Sequence, residues 1–308
     1  MTAQFSASDA AVSGFRLVRE HPRTIAVWAV VMTVISVINT VLVVKFFGPS
    51  LSALMDLQAA GGETDPTELA KALEPLAPFY MISLLYTLAL YAVMMAALNR
   101  LILRPQDDRA AYLRLGVDEL RQVGVFAVLY LIMMAVSFVA TIGVVFVAVV
   151  FGVLAGGNPG VITAVSMLGL IVVAIGVLFV VMRLSFLSSI AFETGKISPR
   201  AAWAMTKGIG GSLVGTYAVA IALGAVVYLL IVVILAAVGL AIGGMDAIAQ
   251  LMHPDMTSLG AFFTPARLIQ VLFSGTIQVL VALILYAPIP TIYRQLRGGS
   301  PSSSGPFG

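Results

Sequence analysis

Cysteine is absent from this chain of 308 residues, and histidine occurs only twice, as His21 and His253. Without cysteine there are no disulfides, no thiol nucleophiles and no cysteine-ligated zinc, haem or iron–sulfur sites. Two histidines in unrelated segments do not predict a metal centre either. We therefore expect no cofactor and no metal site.

Charged residues are also scarce in this sequence. Only 10% of residues are charged, 60% are hydrophobic and the mean hydropathy is +1.07, whereas a soluble domain carries roughly a quarter charged residues. This composition excludes a soluble globular protein and indicates an integral membrane protein. The net charge of +3 does not predict nucleic acid as a partner, because the basic residues lie in short clusters between long uncharged segments.

Six apolar segments are each long enough to cross a bilayer core, which needs about 20 helical residues. None shows the alternation of a membrane β-barrel, so all six are predicted as α-helices. The predicted spans are about 24–47, 78–99, 123–155, 161–190, 212–245 and 267–293. We thus predict an all-α integral membrane protein with a membrane domain over 24–297, a cytoplasmic amphipathic segment over 1–23 and a disordered tail over 298–308.

Glycine and proline residues predict where the chain turns. Gly48-Pro49-Ser50 is expected to end the first span. Gly156-Gly157-Asn158-Pro159-Gly160 is the strongest turn signal within an uncharged stretch of 61 residues, and it predicts a helical hairpin. In the acidic loop 48–77, Asp65-Pro66 followed by Glu68 predicts the start of a short helix on the outer surface.

Lysine and arginine are distributed unevenly over the two sides that six spans define. Of the 17 basic residues, 14 lie on the side of the termini, and only Lys45, Lys71 and Arg267 lie on the other side. Such a bias marks the cytoplasmic side of a membrane protein. We therefore predict a multi-pass protein of the bacterial inner membrane with both termini in the cytoplasm.

Three segments on the predicted cytoplasmic side mix basic with apolar and aromatic residues, as interfacial amphipathic helices do. These segments are Ser6–Glu20, Asp107–Arg121 and Ser198–Lys207. Each holds one of three alanine pairs, spaced by 100 and 91 residues: Ala10-Ala11, Ala110-Ala111 and Ala201-Ala202. The pairs suggest three repeated units, each an inner helix followed by a membrane hairpin. The alternative explanation is the composition that interfacial helices share.

One of these segments resembles a known family. The stretch Glu193-Thr-Gly-Lys-Ile-Ser-Pro-Arg-Ala-Ala-Trp-Ala-Met-Thr-Lys-Gly208 is similar to an amphipathic helix with a Leu-Thr-Arg-Gly-like ending. That helix occurs in the membrane domain of some bacterial glycerophosphodiester phosphodiesterases and in YciC-type inner-membrane proteins. The family tends to have leucine where this chain has Met205. The order of elements is also similar over nearly the whole chain. The resemblance implies this six-span fold but no activity, because the fused phosphodiesterases carry catalysis on a separate soluble domain, which we do not expect here.

Residues near the predicted cytoplasmic surface are candidates for binding anionic phospholipid headgroups, to which each basic residue contributes about 1 kcal/mol. The candidates are Arg100, Arg104, Arg114, Arg121, Arg183, Lys196, Arg200, Trp203 and Lys207. The alternative is that the basic charges serve orientation alone. Arg183 has a further alternative, because its long side chain can anchor a helix by reaching the interface. Glu193 with Lys196 and Arg200 is interpreted as a solvated or interfacial charge cluster.

Polar and helix-breaking residues inside the spans form a second set of candidates. Asn39 lies well inside the first span, where it either bonds across helices or lines a path for solute. Pro288 and Pro290 interrupt the sixth span near its inner end and form either a fixed bend or a hinge. Glycine spacings predict close helix packing and leave a homo-oligomer or another membrane protein open as partner; they are Gly152xxxGly156, Gly211xxxGly215 and Gly239xxxGly243.

Aspartate and glutamate are missing from the predicted spans, so the carboxylate relay of proton-coupled transporters is not predicted. Two function classes follow. The first is a protein without catalytic activity that works at the bilayer, in an envelope- or lipid-related role, through its basic interfacial helices. The alternative is a small-solute transporter or permease with a path near Asn39 and the Pro288/Pro290 bend. An intramembrane enzyme is disfavoured because the spans offer neither cysteine nor buried acids.

The absence of cysteine makes the predicted orientation directly testable, because a single introduced cysteine is the only thiol. We expect Ser50→Cys and Ser258→Cys to react with a membrane-impermeant maleimide added from outside the cell. Ser198→Cys should react only after the membrane has been opened. Labelling of Ser198→Cys from outside would contradict the orientation.

Overall fold

A computed structural model describes residues 6–59 and 66–298 of the chain. Within these ranges it contains thirteen α-helices, two short 3-10 segments at Glu74–Leu76 and Arg109–Tyr112, and no strand. In chain order the helices are α1 (Ala7–Ala11), α2 (Ser13–Glu20), α3 (Pro22–Ala59), α4 (Pro66–Leu73), α5 (Ala77–Leu103), α6 (Val117–Leu154), α7 (Pro159–Arg183), α8 (Leu187–Thr194), α9 (Pro199–Met205), α10 (Gly210–Met252), α11 (Leu259–Phe262), α12 (Pro265–Tyr286) and α13 (Pro288–Leu296).

Six helices carry segments long and apolar enough to span a membrane, namely α3, α5, α6, α7, α10 and α12. Over the described residues, the prediction of an all-α chain with six helices long and apolar enough to cross a membrane is confirmed, and the fold is compatible with a multi-pass membrane protein. Several helices are longer than a bilayer requires. The 38 residues of α6 extend roughly 57 Å at 1.5 Å per residue, so α6 is longer than a bilayer core of about 30 Å.

Three helices begin with the same pattern, a polar N-cap residue followed by proline at the first helical position. The cap side chain accepts a hydrogen bond from a backbone N–H of the first turn, and proline suits that turn because its missing N–H would have no helical partner. The pattern starts α7, α9 and α12 at Asn158-Pro159, Ser198-Pro199 and Thr264-Pro265. The predicted hairpin turn after α6 is confirmed, while the predicted cap residue Asp65 lies outside the described residues.

The predicted end of the first span at Gly48-Pro49-Ser50 is wrong, because α3 continues through Pro49 to Ala59. Proline inside a helix removes one hydrogen bond without necessarily ending the helix. Gly48 serves close packing instead of a turn. A Cβ atom at this position would lie 2.0 Å from the carbonyl oxygen of Met256, so only glycine lets that loop approach α3.

The prediction of a helix over Asp107–Arg121 is wrong for the part before α6, which begins at Val117. Ala110, Ala111 and Tyr112 have positive φ angles of 51°, 51° and 65°, a conformation that side-chain-bearing residues rarely adopt. A tertiary hydrogen bond accompanies this geometry: the indole Nε1 of the fully buried Trp28 donates to the Ala111 carbonyl oxygen at 2.6 Å. This contact from α3 was not visible in the local sequence.

The three alanine pairs therefore adopt two different conformations. Ala10-Ala11 ends α1 and Ala201-Ala202 lies inside α9, whereas Ala110-Ala111 has left-handed backbone angles. The pairs do not mark a common structural element. The repeat of three hairpins stays a prediction, as does the interfacial position of the short helices α1, α2 and α9.

The predicted span 161–190 is not one helix. The helix α7 ends at Arg183, a turn follows over residues 184–186, and α8 then begins. Leu184 and Phe186 in this turn are buried against neighbouring helices. Their burial gives the turn a packing role that the continuous apolar sequence did not reveal.

The fifth predicted span contains a kink, and the sixth is divided into two helices. In α10 the backbone leaves helical geometry at Gly243 and Gly244, where the φ of Gly244 is 63°. Gly243 thus belongs to a kink, not to a straight packing face of the kind that Gly239xxxGly243 predicted. The sixth predicted span divides at Ala287 into α12 and α13, next to Pro288, as the prolines indicated.

Buried side chains concentrate at one end of the bundle, which we name the basic end. It comprises residues 6–23, 100–121, 183–209 and 287–298, and we name the other end the opposite end. Two apolar clusters lie at or near the basic end. One joins α3, α5 and α12 around Trp28 and Leu283, and the other joins α6, α8, α10 and α13 around Phe186 and Tyr293. By contrast, α7 has no buried residue.

The packing of α3 on α12 depends on Gly275. A Cβ atom there would lie 2.1 Å from the Thr33 amide nitrogen and 2.6 Å from the Ala29 carbonyl oxygen. We expect Gly275→Ala to lower the free energy of unfolding by about 1–3 kcal/mol, since overpacking forces backbone shifts. Thermal unfolding of the purified protein in detergent measures the effect.

Gly143 in α6 offers the matched control, because a Cβ atom there meets nothing within 4 Å. Gly143→Ala should leave stability unchanged or raise it slightly, since alanine favours helix. An equal loss of stability in both variants would contradict the assigned role of Gly275.

Candidate functional site

Arg100 lies in the interior of the basic end, with only 2% of its surface exposed. Its Nη2 donates to the Glu119 Oε1 at 2.8 Å and its Nη1 donates to the Tyr112 carbonyl oxygen at 2.5 Å. Glu119 is also buried. Because this guanidinium is enclosed and neutralised, Arg100 is corrected from a lipid-headgroup candidate to a structural residue that joins α5 to α6.

Asp118 connects two further predicted lipid ligands to the same network. The Arg121 Nη1 lies 2.9 Å from the Asp118 Oδ1, and the Arg104 Nη1 lies 3.5 Å from the Asp118 Oδ2. Arg104 also donates to the Phe192 carbonyl oxygen at 3.1 Å and lies over the Phe192 ring, 4.4 Å from its centroid. Much of the positive charge of this segment is thus engaged in contacts within the protein.

Arg114 forms an ion pair with Asp107 in the loop between α5 and α6. The hydrogen bond from Arg114 lowers the pKa of the Asp107 carboxyl, and the positive charges of Arg100 and Arg109 act in the same direction. Asp107 is therefore ionised at neutral pH and neutralises Arg114. Together with Arg100, Arg104 and Arg121, Arg114 belongs to a set of four internally paired arginines.

A neutral polar network lies directly beside these ion pairs and was not predicted. The Asn99 Nδ2 donates to the Ser188 Oγ at 2.9 Å, and the Ser188 Oγ donates to the Gln122 Oε1 at 2.7 Å. Ser189 donates to the Asn99 Oδ1 at 2.8 Å. All four side chains are buried, so their hydrogen bonds tie α5, α6 and α8 together. The sequence signal that could have predicted this network is the presence of neutral polar residues next to or within apolar segments.

The predicted charge cluster of Glu193 with Lys196 and Arg200 has a different arrangement. The Glu193 Oε2 pairs with the Arg297 Nη1 at 3.0 Å and accepts a hydrogen bond from the Tyr293 hydroxyl. This contact joins the end of α8 to α13. Lys196 and Arg200 are exposed and take no part in an ion pair among the described residues.

Arg183 and Trp203 lie together where α7 ends. The Arg183 guanidinium carbon is 5.1 Å from the Trp203 ring centroid and 5.4 Å from the Phe179 ring centroid. The Arg183 Nη1 lies 3.4 Å from the Thr206 Oγ1. These contacts hold α9 against the last turn of a candidate membrane span.

Three basic side chains at or beside this anchored helix form no ion pair with any other residue that the structure describes. Lys196 precedes α9, Arg200 lies in its first turn and Lys207 follows it, and all three are exposed. Trp203, which lies between them in sequence, is 40% exposed. We name Arg183, Lys196, Arg200, Trp203 and Lys207 the α9 surface.

A cavity of about 640 Å³ forms a second candidate site, between α3, α5, α10 and α12. Its polar lining consists of Ser36, Asn39, Thr40, Tyr86, Tyr91, Tyr228, Arg267, Gln270, Ser274, Gln278 and Tyr286. Within the part of the chain that the structure describes, these lining side chains are neutral or cationic. One face of α12 supplies Gln270, Ser274 and Gln278, because residues four apart lie on the same side of a helix.

The cavity lies within the apolar region of the bundle. α3 and α12 run antiparallel, with the Thr33 hydroxyl donating to the Leu272 carbonyl oxygen at 3.2 Å and Val44 packed with Phe262 and Val271. Arg267 therefore lies at the level of α3 residues between 33 and 44, inside the predicted first span.

The predicted path residues are separated by the structure. Asn39 lines the cavity, whereas Pro288 and Pro290 are buried at the basic end and do not line it. Arg267 was counted among the basic residues of the opposite end but was not predicted as a site residue. Arg267 becomes a candidate because it is buried, and burial cannot be read from the sequence around the first turn of a helix.

Comparison with protein-family models, curated proteins and solved structures finds no match for this chain. The resemblance of Glu193–Gly208 to membrane domains of glycerophosphodiester phosphodiesterases and to YciC-type proteins thus stays an expectation based on the sequence.

The buried ion pair predicts a specific pattern of stability. Arg100→Met leaves Glu119 as an uncompensated buried charge and should lower the free energy of unfolding by about 3–5 kcal/mol. The double variant Arg100→Met/Glu119→Leu should recover most of this loss, because an apolar pair of similar volume replaces both charges. Unfolding in detergent measures both effects. Arg19→Gln, at an exposed position, is the control, and a double variant no more stable than Arg100→Met would contradict the assignment.

Proposed function

We propose that this chain is a multi-pass protein of the bacterial inner membrane, without catalytic activity of its own, that binds anionic phospholipid headgroups in an envelope- or lipid-related role. The supporting observation is the α9 surface, where Lys196, Arg200 and Lys207 are exposed and form no ion pair among the described residues. These charges are free to meet phosphate groups.

The position of the α9 surface supports the same proposal. Arg183 lies over the Trp203 ring and thereby fixes α9 at the end of α7, which supports a position where α7 would leave the bilayer if it spans it. Tryptophan favours this region because one part of its ring system is apolar and the N–H is polar. Three basic residues at that depth would contribute roughly 3 kcal/mol of attraction to an anionic leaflet.

The proposal depends on fewer residues than the sequence suggested. Arg100, Arg104, Arg114 and Arg121 have acidic partners within the protein, so their charges are largely balanced before any lipid is bound. The α9 surface also coincides with the segment that resembles the phosphodiesterase membrane domains and YciC-type proteins, which agrees with a lipid-related role.

The test uses the full chain, purified in an uncharged detergent and titrated with phosphatidylglycerol or phosphatidylcholine. We expect phosphatidylglycerol to raise the unfolding temperature by more than phosphatidylcholine does, because ligands that bind the folded state stabilise it. The triple variant Lys196→Gln/Arg200→Gln/Lys207→Gln should lose most of this difference.

Arg16→Gln/Arg19→Gln/Arg23→Gln is the matched control, since it removes three exposed positive charges from the same end of the bundle. It should keep the preference for phosphatidylglycerol. Equal stabilisation by the two lipids in the unmodified protein would refute the proposal.

A second candidate function is the passage of a small solute, and the cavity around Asn39 is the observation that favours it. Polar groups are costly inside a membrane unless they bond to each other or to a ligand. Several neutral hydrogen-bonding side chains on α3, α5 and α12 face one shared space, an arrangement that suits a permease better than a purely structural bundle.

A further inference from the structure

We infer that the cavity between α3, α5, α10 and α12 is a binding site for an anionic group, a carboxylate or a phosphate, that is held by Arg267. This inference goes beyond the headgroup surface proposed for α9. It assigns a ligand class to the second candidate function, and it requires binding only, not passage.

The first observation is a buried cation with neutral partners. Arg267 is 9% exposed, and its Nη2 donates to the carbonyl oxygens of Gln250 and Leu251 at 2.8 Å each. Its Nη1 donates to the Gln270 side-chain oxygen, and its Nε is buried without a hydrogen-bond partner. Among the described residues Arg267 forms no ion pair, so none of them offers a carboxylate to balance its positive charge.

Arg100 provides an internal comparison for this arrangement. It is buried to a similar degree, yet its guanidinium lies 2.8 Å from the Glu119 carboxylate. A buried charge is strongly disfavoured unless an opposite charge accompanies it. The protein therefore compensates one enclosed guanidinium with its own carboxylate, whereas the missing negative charge at Arg267 would come from a ligand.

The second observation is that Arg267 lines a space large enough for such a ligand. Gln270 and Asn39 share the cavity with it, and their side-chain amide N–H groups are available to donate hydrogen bonds to a bound anion. The Phe262 ring lies 5.3 Å from the Arg267 guanidinium carbon and helps to fix the direction of the charge. The site thus combines one cation, several donors and an aromatic wall.

The cavity continues along α12 toward the basic end. Residues from Arg267 to Tyr286 line it, a separation of roughly 28 Å at 1.5 Å per residue. Apolar side chains such as Val281 and Leu285 face the part that is remote from Arg267. This shape suits either a free small anion near Arg267 or the anionic headgroup of a lipid whose chain extends along α12.

The experiment uses the full-length protein in nanodiscs of phosphatidylcholine. Inorganic phosphate is titrated in one arm and short-chain phosphatidic acid in the other, and binding is followed by the unfolding temperature and by isothermal titration calorimetry. We expect saturable binding of at least one probe. Binding of phosphate identifies a free anion as sufficient, and binding of phosphatidic acid alone identifies a lipid.

Arg267→Gln should weaken that binding by about tenfold or more, since removal of one partner of a buried charge pair is costly. Arg267→Lys should retain part of the affinity. Arg19→Gln, which removes an exposed positive charge at the basic end, should leave the affinity unchanged.

Asn39→Leu keeps the test decisive if Arg267→Gln does not fold, because it alters the cavity wall without touching Arg267. We expect it to reduce binding. Absence of binding by both probes, or an unchanged affinity in folded Arg267→Gln, would overturn the inference. The α9 triple variant separates the two proposals: it should bind at this cavity whichever probe the unmodified protein binds, with the same affinity, even if the α9 surface does not bind lipid.

Discussion

The pairing of Arg100 with Glu119 is the interaction on which the basic end of the bundle depends. It joins the last turns of α5 to the first turn of α6 through two side chains that water hardly reaches. Around it, Asp118 and Asp107 balance three more arginines, and the hydrogen bonds of Asn99, Ser188 and Gln122 bring in α8. Breaking the central pair would strand a buried charge, so these contacts act as one unit.

Burial and pairing divide the basic residues of the candidate sites into three kinds. One group is paired internally and holds helices together, a second is exposed at the α9 surface and available to lipid phosphates, and Arg267 alone, among the residues described here, is both buried and without a charged partner. The division has a simple electrostatic cause. A charge in a low-dielectric interior must be neutralised, while a charge at the interface is stabilised by water and by lipid headgroups.

Several features of the fold followed from local sequence because their causes are local. Long apolar segments predict six spanning helices since a bilayer core has a fixed thickness, and Asn158-Pro159 marks a helix start through its own cap hydrogen bond. Predictions failed where distant residues intervene. The Trp28 indole donates a hydrogen bond to the carbonyl oxygen of Ala111, whose backbone angles are left-handed. The carbonyl of Met256 lies so close to Gly48 that only glycine fits at this position inside a continuous helix. Neither partner is near in sequence.

In the candidate sites, too, some features follow from the sequence and others only from contacts between distant residues. Composition and the uneven distribution of lysine and arginine determined the class of protein, its spanning segments and the predicted orientation, because these depend on transfer of side chains between water and lipid. Asn39 could be selected as a polar residue within a span for the same reason. Only the tertiary structure decided that Arg100 is enclosed, that Lys196, Arg200 and Lys207 are free, and that Arg267 shares a cavity with Asn39. The energy of a charge depends on its surroundings in space, and packing between distant helices creates those surroundings.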